Sequence, residues 1–296
     1  MPFDQLLQYA LSGVTNGSIY AIVAIGFNII YNTTGIINFA QGEFLMLGGM
    51  TAISLSAFMP LPLAILAAVI ITSCIGALID FFFIRRLKSP TVLNMIIVTI
   101  GLSIVIREIA LHVWDEKVRS LPYFTGNEVT SINLLGAYIS PQVLWVLGIS
   151  AVTVVFLGFF FKFTLTGRSM RACASNMTAA RLCGINTGAM VTVSFMLSAA
   201  IGALAGCAIS PITQTQYDCG TSLAIKGFTV AILGGLGNST GAVIGGMVVG
   251  MLEAFSISVL PLAYKDAISI AILLLILFAK PSGLLGKKEA AGLKEF

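Results

Sequence analysis

The sequence has 296 residues, of which 57% are hydrophobic and only 9% are charged. Its 16 basic and 12 acidic side chains are too few to cover a soluble domain, which spends about a quarter of its residues on Asp, Glu, Lys and Arg. This composition excludes soluble, disordered, collagen-like and coiled-coil proteins, and it predicts an integral membrane protein.

The chain contains a series of apolar stretches, and most are long enough to cross a bilayer, which takes roughly 20 apolar residues. We predict an all-α polytopic membrane protein with about eight spans, or seven to nine, that forms a single transmembrane domain over residues 1–296. The N-terminus has no basic residue before its first apolar stretch, so we expect it to begin a span and not a cleaved signal peptide. The stretches lie at about 7–31, 36–58, 61–84, 91–112, 141–162, 190–212 and 266–280, with a further apolar region at 223–260.

The region 223–260 is interrupted by the glycine-rich sequence Gly234-Gly235-Leu236-Gly237-Asn238. It could hold one span and a re-entrant half-helix, or two short spans. Irregular backbone at membrane depth is tolerated where protein or a water-filled cavity surrounds it. We therefore predict a re-entrant or broken helix near 223–240, with Gly235 and Gly237 as candidates for lining a path through the protein. The glycines spaced by four from Gly237 to Gly245 and from Gly246 to Gly250, with Gly202 and Gly206, predict close helix packing.

Basic residues predict the orientation of the chain in the membrane. Eleven of the 16 Lys and Arg side chains lie in three segments, which the positive-inside rule places in the cytoplasm. The mixed-charge segment 113–140 lies between two of these segments, so we expect it outside, with the N-terminus external and the C-terminus cytoplasmic. The net charge of +4 therefore marks membrane sidedness and does not indicate nucleic-acid binding. The cations are Arg85, Arg86, Lys88, Lys162, Arg168, Arg171, Arg181, Lys280, Lys287, Lys288 and Lys294.

The segment 163–189 is the longest of the predicted cytoplasmic connections. Its Ala-rich middle predicts one short helix from Arg171 to Cys183, which Gly184 ends because glycine readily adopts the left-handed cap conformation. Small residues at Ala172, Ala179, Ala180 and Cys183 leave one face without charge. Such a helix suits either docking into a groove on a partner protein or lying on the membrane surface, held by its arginines.

Polar residues inside an apolar span are costly, so they are expected to face the bundle interior. Glu43 is the clearest case, with Asn38 and Gln41 just before it. We interpret these three as gate or path candidates near the cytoplasmic end of the span, with an interhelical hydrogen bond or partner contact as the alternative. The other ionisable residues in or near spans are interpreted as structural, and the adjacent Arg107 and Glu108 are expected to have different partners. They are Asp80, Arg107, Glu108, Lys226 and Glu253, while His112 and Trp114 suit an interfacial position.

The sequence offers little for catalysis or cofactor binding. His112 is the only histidine, and the five cysteines show no metal-ligand spacing, so we expect no catalytic residues, no metal site and no cofactor. No phosphate-binding loop motif is present. If this non-enzymatic protein moves a solute uphill, the energy comes from an ion gradient or from another polypeptide.

Several segments in chain order resemble the branched-chain amino-acid permeases of ABC importers, specifically the LivH-type subunit. The most specific is Gly35-Ile36-Ile37-Asn38-Phe39-Ala40-Gln41-Gly42-Glu43-Phe44. The segment Gly167–Ala172, followed by Ala179–Ile185, is similar to the cytoplasmic coupling loop of such importers. The remaining matches are Gly17–Ala21, Gly234–Ala242 and Lys280–Gly286.

The resemblance implies a permease subunit in a bacterial plasma (inner) membrane, in contact with lipid and with no nucleic-acid partner. Its expected partners are a second homologous permease subunit, two cytoplasmic ATPase subunits and a periplasmic or extracellular substrate-binding protein. One departure is that Asn176-Met177-Thr178 stands where family coupling loops often carry acidic residues. The resemblance assigns ATPase coupling to Arg168, Arg171, Ala179, Ala180, Arg181 and Gly184.

Two other functions stay open at this point. An ion-coupled secondary transporter typically places broken helices or charges in paired repeats at the midplane, whereas only one break and few intramembrane charges are evident here. A permease of the same family for amides or urea is the second alternative, since an external binding protein does much of the substrate selection.

Overall fold

The computed structural model describes residues 3–87, 91–134, 137–258, 261, 264–280 and 283–286, and these are mostly helical. A π-helical turn, Asp80–Ile84, extends the helix Leu61–Ile79, which we call α3. A small antiparallel hairpin, β1 (Ile132–Leu134) and β2 (Ala137–Ile139), lies in the segment 113–140 and was not predicted. The helices are α1 (Phe3–Thr34), α2 (Gln41–Ser56), α3 (Leu61–Ile79), α4 (Val92–Trp114), α5 (Pro141–Phe163), α6 (Leu165–Ser175), α7 (Met177–Leu182), α8 (Thr187–Thr213), α9 (Cys219–Gly234), α10 (Ser239–Ser256) and α11 (Lys265–Ala279).

Among the described residues, six helices are long and apolar enough to cross a membrane: α1, α3 with its π turn, α4, α5, α8 and α10. The prediction of an all-α polytopic membrane protein is confirmed. Helices α2, α9 and α11 have 16, 16 and 15 residues. At a rise of roughly 1.5 Å per residue, each is shorter than a hydrocarbon core of roughly 30 Å.

Helix α1 forms the centre of the bundle and packs against α5, α8, α9 and α10. Of the residues in its 18-residue apolar stretch, 89% are buried, whereas only 22% are buried in the corresponding stretches of α4 and α5. The outer faces of α3, α4 and α5 therefore carry many exposed large apolar side chains, such as Leu66, Ile109 and Phe159. An apolar perimeter of this kind suits contact with lipid or with another membrane subunit.

Glycines allow α1 and α10 to pack backbone against backbone. Gly17 on α1 faces Gly246 on α10, and a Cβ added at Gly17 would lie 2.7 Å from the Gly246 carbonyl oxygen. Gly250 meets the backbone of Gly13 and Gly17 one turn further along. The predicted packing role of the spaced glycines is confirmed for this pair of helices, since small residues let helix backbones approach closely.

The broken helix predicted near 223–240 is present. Helix α9 ends at Gly234 and α10 begins at Ser239, and between them Gly235 (φ 95°) and Gly237 (φ 86°) adopt positive φ, which favours glycine. The Gly237 N–H donates to Asn28 Oδ1 (2.9 Å), and Asn32 Nδ2 donates to the Gly237 carbonyl (2.9 Å). Two asparagines of α1 thus satisfy the backbone of this turn.

A second break precedes α2, where the sequence predicted a continuous span over 36–58. Helix α1 continues to Thr34, Gly35 has a φ of 72°, and the chain is non-helical until α2 begins at Gln41. Asn38 Oδ1 accepts a hydrogen bond from the Ala40 N–H (3.1 Å) and so stabilises the irregular segment. The predicted helix start was wrong because the short polar side chain of Asn38 competes with the helical hydrogen-bond pattern.

The single helix predicted from Arg171 to Cys183 was also wrong, because α6 and α7 are separate. Asn176 lies between them in an extended conformation, and its Oδ1 accepts from the Ala179 N–H (2.9 Å) as the N-cap of α7. Gly184 follows α7 with a φ of 81°, so the predicted glycine stop is confirmed.

The close packing of α1 on α10 predicts that Gly17→Ala destabilises the bundle. The new methyl group has to displace the backbone of α10, an overpacking cost of about 1–3 kcal/mol. The thermal midpoint of the purified protein in detergent should fall. Gly101→Ala is the control because a Cβ there meets nothing within 4 Å. An equal midpoint for the two variants would contradict this packing.

Candidate functional site

The break before α2 places a carboxyl group deep inside the bundle. Glu43 lies in the first turn of α2, and its side chain is 1% exposed. Its Oε1 accepts a hydrogen bond from Ser103 Oγ (2.9 Å), and Ser103 is at the centre of the 23-residue helix α4. Glu43 therefore lies level with the middle of α4 although it is in the first turn of its own helix, because non-helical residues carry the chain back into the bundle before α2 starts.

Helix α4 contributes a polar stripe that faces this break. Thr99, Ser103 and Arg107 are spaced by four residues and so share one helix face. Thr99 Oγ1 accepts from the Phe39 N–H (3.3 Å), and Arg107 Nη1 donates to Thr221 Oγ1 on α9 (3.3 Å). Sequence reasoning missed Thr99 and Ser103, although polar residues at this spacing in an apolar helix are a usable signal.

The N-termini of α2 and α9 meet beside Glu43. A Cβ added at Gly220 would lie 2.6 Å from the Gly42 carbonyl oxygen, so only glycines permit this approach. Helix N-termini carry partial positive charge and unpaired N–H groups. Glu43 thus lies in the first turn of α2 and close to the start of α9, where Asp218 brings a second carboxyl group to the junction.

A cavity of about 220 Å³ lies beside these N-termini, between α4 and α9. Its walls are mostly apolar, and its polar groups are Ser103, Arg107 and Thr221. The side chains of Ile104 and Ile225 are 47% and 44% exposed, so the cavity opens on the outer surface of the single chain. The lining residues are Phe39, Ile100, Ser103, Ile104, Arg107, Thr221, Ala224, Ile225 and Phe228.

Gln41 and Asn38 take part in structural hydrogen bonds near this site. Gln41 Nε2 donates to the Ser198 carbonyl (3.3 Å), and Ser198 Oγ lies 2.6 Å from Gln41 Oε1 and 2.8 Å from the Gly26 carbonyl. This network joins α1, α2 and α8. Gly235 and Gly237 are not brought to this site, since they form the turn at the end of the bundle where α9 meets α10.

A second polar cluster lies on the other side of α9. Lys226 Nζ donates to Glu253 Oε1 (3.0 Å) and to the Tyr20 hydroxyl (3.3 Å), and Tyr20 also donates to Glu253 Oε1 (3.1 Å). Tyr20 and Lys226 line a more polar cavity of about 200 Å³. Lys226 and Glu253 pair because α9 and α10 fold back on each other, a contact that their separate positions in the sequence do not reveal.

Arg107 and Glu108 have different neighbours, as adjacent positions on a helix require. The Arg107 guanidinium contacts Thr221, while the Glu108 side chain is on the exposed face and its carbonyl oxygen pairs with His112 Nδ1 (2.8 Å).

The residues of segment 163–189 lie at one end of the bundle. Arg168, Arg171, Ala179 and Arg181 are exposed, whereas Ala180 is buried. The four small residues expected on one uncharged face do not share a face, because Asn176 divides the helix. The large apolar side chains of Leu165 and Leu182 are instead 81% and 86% exposed.

A buried carboxylate connects this end of the bundle to α3. Asp80, in the π turn, is fully buried, and its Oδ2 lies 3.0 Å from Arg85 Nε and accepts from Thr192 Oγ1 (2.6 Å). Arg85 Nη2 also donates to the Gly188 carbonyl in the first turn of α8 (2.7 Å). We call Asp80, Arg85, Gly188 and Thr192 the Asp80 cluster. It joins the end of α3 to the start of α8, and π turns are frequent at functional sites.

Comparison with known families agrees with this architecture. Residues 9–277 match the family model described as "Branched-chain amino acid transport system / permease component". The chain belongs to this family.

The relatives of this permease carry the same description. It is 35% identical to the high-affinity branched-chain amino acid transport system permease protein BraD of Pseudomonas aeruginosa, with 96% of each chain covered. It is 33% identical to LivH of Salmonella typhimurium and to LivH of Escherichia coli K12, with 97% of each chain covered in both cases. The permease is thus a multi-pass membrane protein related over almost its whole length to transport subunits.

The Asp80 cluster predicts that Arg85→Gln destabilises the permease. The change removes donors to a buried carboxylate and to Gly188, and a hydrogen bond to a charged group contributes about 1.5–3 kcal/mol. Since the Arg85 side chain is 39% exposed, we expect the lower part of that range. The measurement is the thermal midpoint in detergent.

The control is Arg86→Gln, which removes the same charge from the next residue. Arg86 is exposed, and its guanidinium makes cation–π contacts with the rings of Phe81 and Phe82. A destabilisation by Arg86→Gln as large as that by Arg85→Gln would show that net charge, and not the Asp80 cluster, is responsible.

Proposed function

We propose that this permease is the transmembrane subunit of an ATP-driven importer for branched-chain or related amino acids. Transport proceeds by alternating access, and segment 163–189 couples the permease to separate ATPase subunits. Family membership supports the substrate class. The observation that carries the coupling assignment is the exposed α6–α7 pair, which is linked through polar contacts to α8 and α3.

The exposed surface of α6 and α7 has the chemistry of a docking site. Leu182 projects from the end of α7 beside Arg181, and exposed large apolar side chains on a non-membrane segment suit burial against a partner protein. Arg168 and Arg171 supply positive charge nearby. The absence of acidic residues at Asn176-Met177-Thr178 makes packing and the arginines the main contributors to this contact.

A chain of polar contacts connects α7 to helices inside the bundle. Arg181 Nε donates to Thr187 Oγ1 (2.8 Å) at the start of α8. The next residue of α8, Gly188, is held by Arg85, which pairs with Asp80 at the end of α3. A displacement of α7 by the ATPase would therefore shift the ends of α8 and α3, and α8 packs directly on α2, which carries Glu43.

The proposed importer has three kinds of protein partner and is surrounded by membrane lipid. These are a second homologous permease subunit, two cytoplasmic ATPase subunits, a periplasmic or extracellular substrate-binding protein and the lipid of a bacterial plasma (inner) membrane. The apolar perimeter of α3, α4 and α5 supplies area for both lipid and the second permease subunit.

Reconstitution tests the function directly. Proteoliposomes that contain the permease pair, the ATPases and a binding protein should accumulate labelled leucine, isoleucine or valine only when ATP is supplied. Uptake by the permease alone, driven by a proton or sodium gradient and indifferent to ATP, would establish a secondary transporter. ATP-driven uptake of amides or urea, but not of these amino acids, would support the ATP-driven mechanism and show that the proposed substrate class is wrong.

The coupling assignment predicts that Gly184→Val lowers the number of substrate molecules imported per ATP hydrolysed. Gly184 has a φ of 81° and open space around it, so a β-branched residue there strains the backbone without a steric clash. We expect at least a fewfold loss of coupling, with Gly184→Asn less affected because Asn tolerates positive φ.

Cys183→Val is the matched control for this experiment. It places the same side chain on the neighbouring exposed residue, whose φ of −79° suits any L-residue. If both variants couple uptake to ATP as the wild type does, the conformation at Gly184 has no part in coupling.

The proposed orientation predicts which side of the membrane labels a single cysteine. In an otherwise cysteine-free permease, the natural Cys183 should react with an impermeant maleimide only in inside-out vesicles. A cysteine introduced at the exposed Glu128 should react only in right-side-out vesicles or spheroplasts. The reverse labelling pattern would place segment 163–189 outside and overturn the coupling proposal.

A further inference from the structure

We infer that the cavity between α4 and α9 is a transient binding site for the zwitterionic amino acid on its way through the permease. Arg107 and Thr221 hold the carboxylate, Ser103 with Glu43 behind it holds the ammonium group, and the apolar walls hold the side chain. This inference rests on the proposed function, since a second permease subunit closes the open side of the cavity.

The size and lining of the cavity suit a small amphiphilic ligand. Its volume of about 220 Å³ is below the roughly 300–1,000 Å³ of pockets for drug-sized ligands. Phe39, Ile100, Ile104 and Phe228 form an apolar wall, and the polar groups are gathered on one face of α4 and one end of α9. A molecule with a branched apolar part and two charged groups at one end matches this division.

The carboxylate end is defined by Arg107 and Thr221. The Arg107 guanidinium has five N–H donors, and its described side-chain hydrogen bond to Thr221 uses one of them at a long 3.3 Å. Thr221 lies in the first turn of α9, and its own N–H already donates to the Asp218 carbonyl (3.2 Å), so the side chains of Arg107 and Thr221 are the donors for a carboxylate. Guanidinium groups bind carboxylates with two parallel hydrogen bonds, which a substrate can supply in place of the Thr221 hydroxyl.

The ammonium end is defined by Ser103 and Glu43. Ser103 Oγ gives its one proton to Glu43 Oε1, so its lone pairs are left to accept a hydrogen bond from a group in the cavity. The second oxygen of Glu43, Oε2, is buried and has no hydrogen-bond partner among the described residues. A buried carboxyl group with an unused oxygen, behind the Ser103 hydroxyl that lines the cavity, is a suitable counterpart for a cationic amine.

The depth of the site and the interrupted helices beside it agree with a position on the transport route. The site lies at the middle of α4 and beside the starts of α2 and α9, two helices that begin inside the bundle. Helices that are interrupted within the membrane are a recurring feature of substrate sites at the membrane midplane.

Equilibrium binding of radiolabelled L-leucine tests the inference. The sample is the purified complex of the permease pair and ATPases in detergent, without the binding protein, so that only a site in the membrane subunits is measured. Arg107→Gln should weaken leucine binding about ten- to a hundredfold, the loss expected for a charged hydrogen-bonded pair, and Arg107→Lys should retain part of it. The neighbouring exposed Glu108→Gln is the control and should bind as the wild type does.

Two leucine analogues separate the two ends of the site. The affinity for 4-methylpentanoate, which lacks the amine, should be about the same in Glu43→Gln as in the wild type. The affinity for 3-methylbutylamine, which lacks the carboxylate, should not change in Arg107→Gln. Ile104→Phe should reduce binding of leucine more than that of alanine, while Val105→Phe, on the exposed neighbouring residue outside the cavity, should change neither.

Each result decides the inference separately from the proposed function. If the complex imports leucine with ATP but Arg107→Gln binds and transports leucine normally, the site is wrong and the importer proposal stands. If the wild-type complex transports leucine but binds none without the binding protein, the inference is also overturned. If leucine binds in an Arg107-dependent manner but ATP never drives uptake, the binding site is supported and the proposal of an ATP-driven importer is wrong.

Discussion

Backbone groups that leave a helix inside a membrane must find partners within the protein, because no water is available in the hydrocarbon region. This requirement governs the chain break before α2, and side chains of the protein likewise pair the turn between α9 and α10 at the end of the bundle. Asn28 and Asn32 of α1 satisfy the turn between α9 and α10, and the Asn38 side chain satisfies the segment before α2. Because α1 supplies partners at one break and ends at the other, its burial at the centre of the bundle is a condition for the rest of the fold.

The breaks also explain how ionisable side chains come to lie at mid-depth. Starting α2 inside the bundle brings Glu43 opposite the centre of α4, where Ser103 meets it. Starting α9 inside the bundle leaves Arg107 on one side of that helix and Lys226 on the other, each with a polar partner. The glycine contact between Gly42 and Gly220 holds these two helix starts together, so the polar groups keep a defined geometry in an otherwise apolar core.

The end of the bundle near segment 163–189 has a different organisation. Exposed leucines and arginines on α6 and α7 form its outer surface, and the Asp80 cluster ties the adjoining start of α8 to α3. A rigid connection is useful at this place because a displacement at the surface is lost if flexible loops absorb it. The buried Asp80 in a π turn provides such a connection, since its charge holds both Arg85 and Thr192.

The sequence by itself determined the membrane class, the helical architecture, the broken helix near Gly235 and Gly237, and the glycine stop at Gly184, because apolar length and glycine conformation act locally. Only the tertiary structure decided that Glu43 meets Ser103, that Lys226 pairs with Glu253 and that Asp80 links α3 to α8. These partners are far apart in the chain, and their contacts depend on how the helices pack. Two side-chain hydrogen bonds to the backbone were also not predicted. The Asn38 side chain stabilises the non-helical segment before α2, and the Asn176 side chain caps α7 and so divides the helix that the Ala-rich sequence favours.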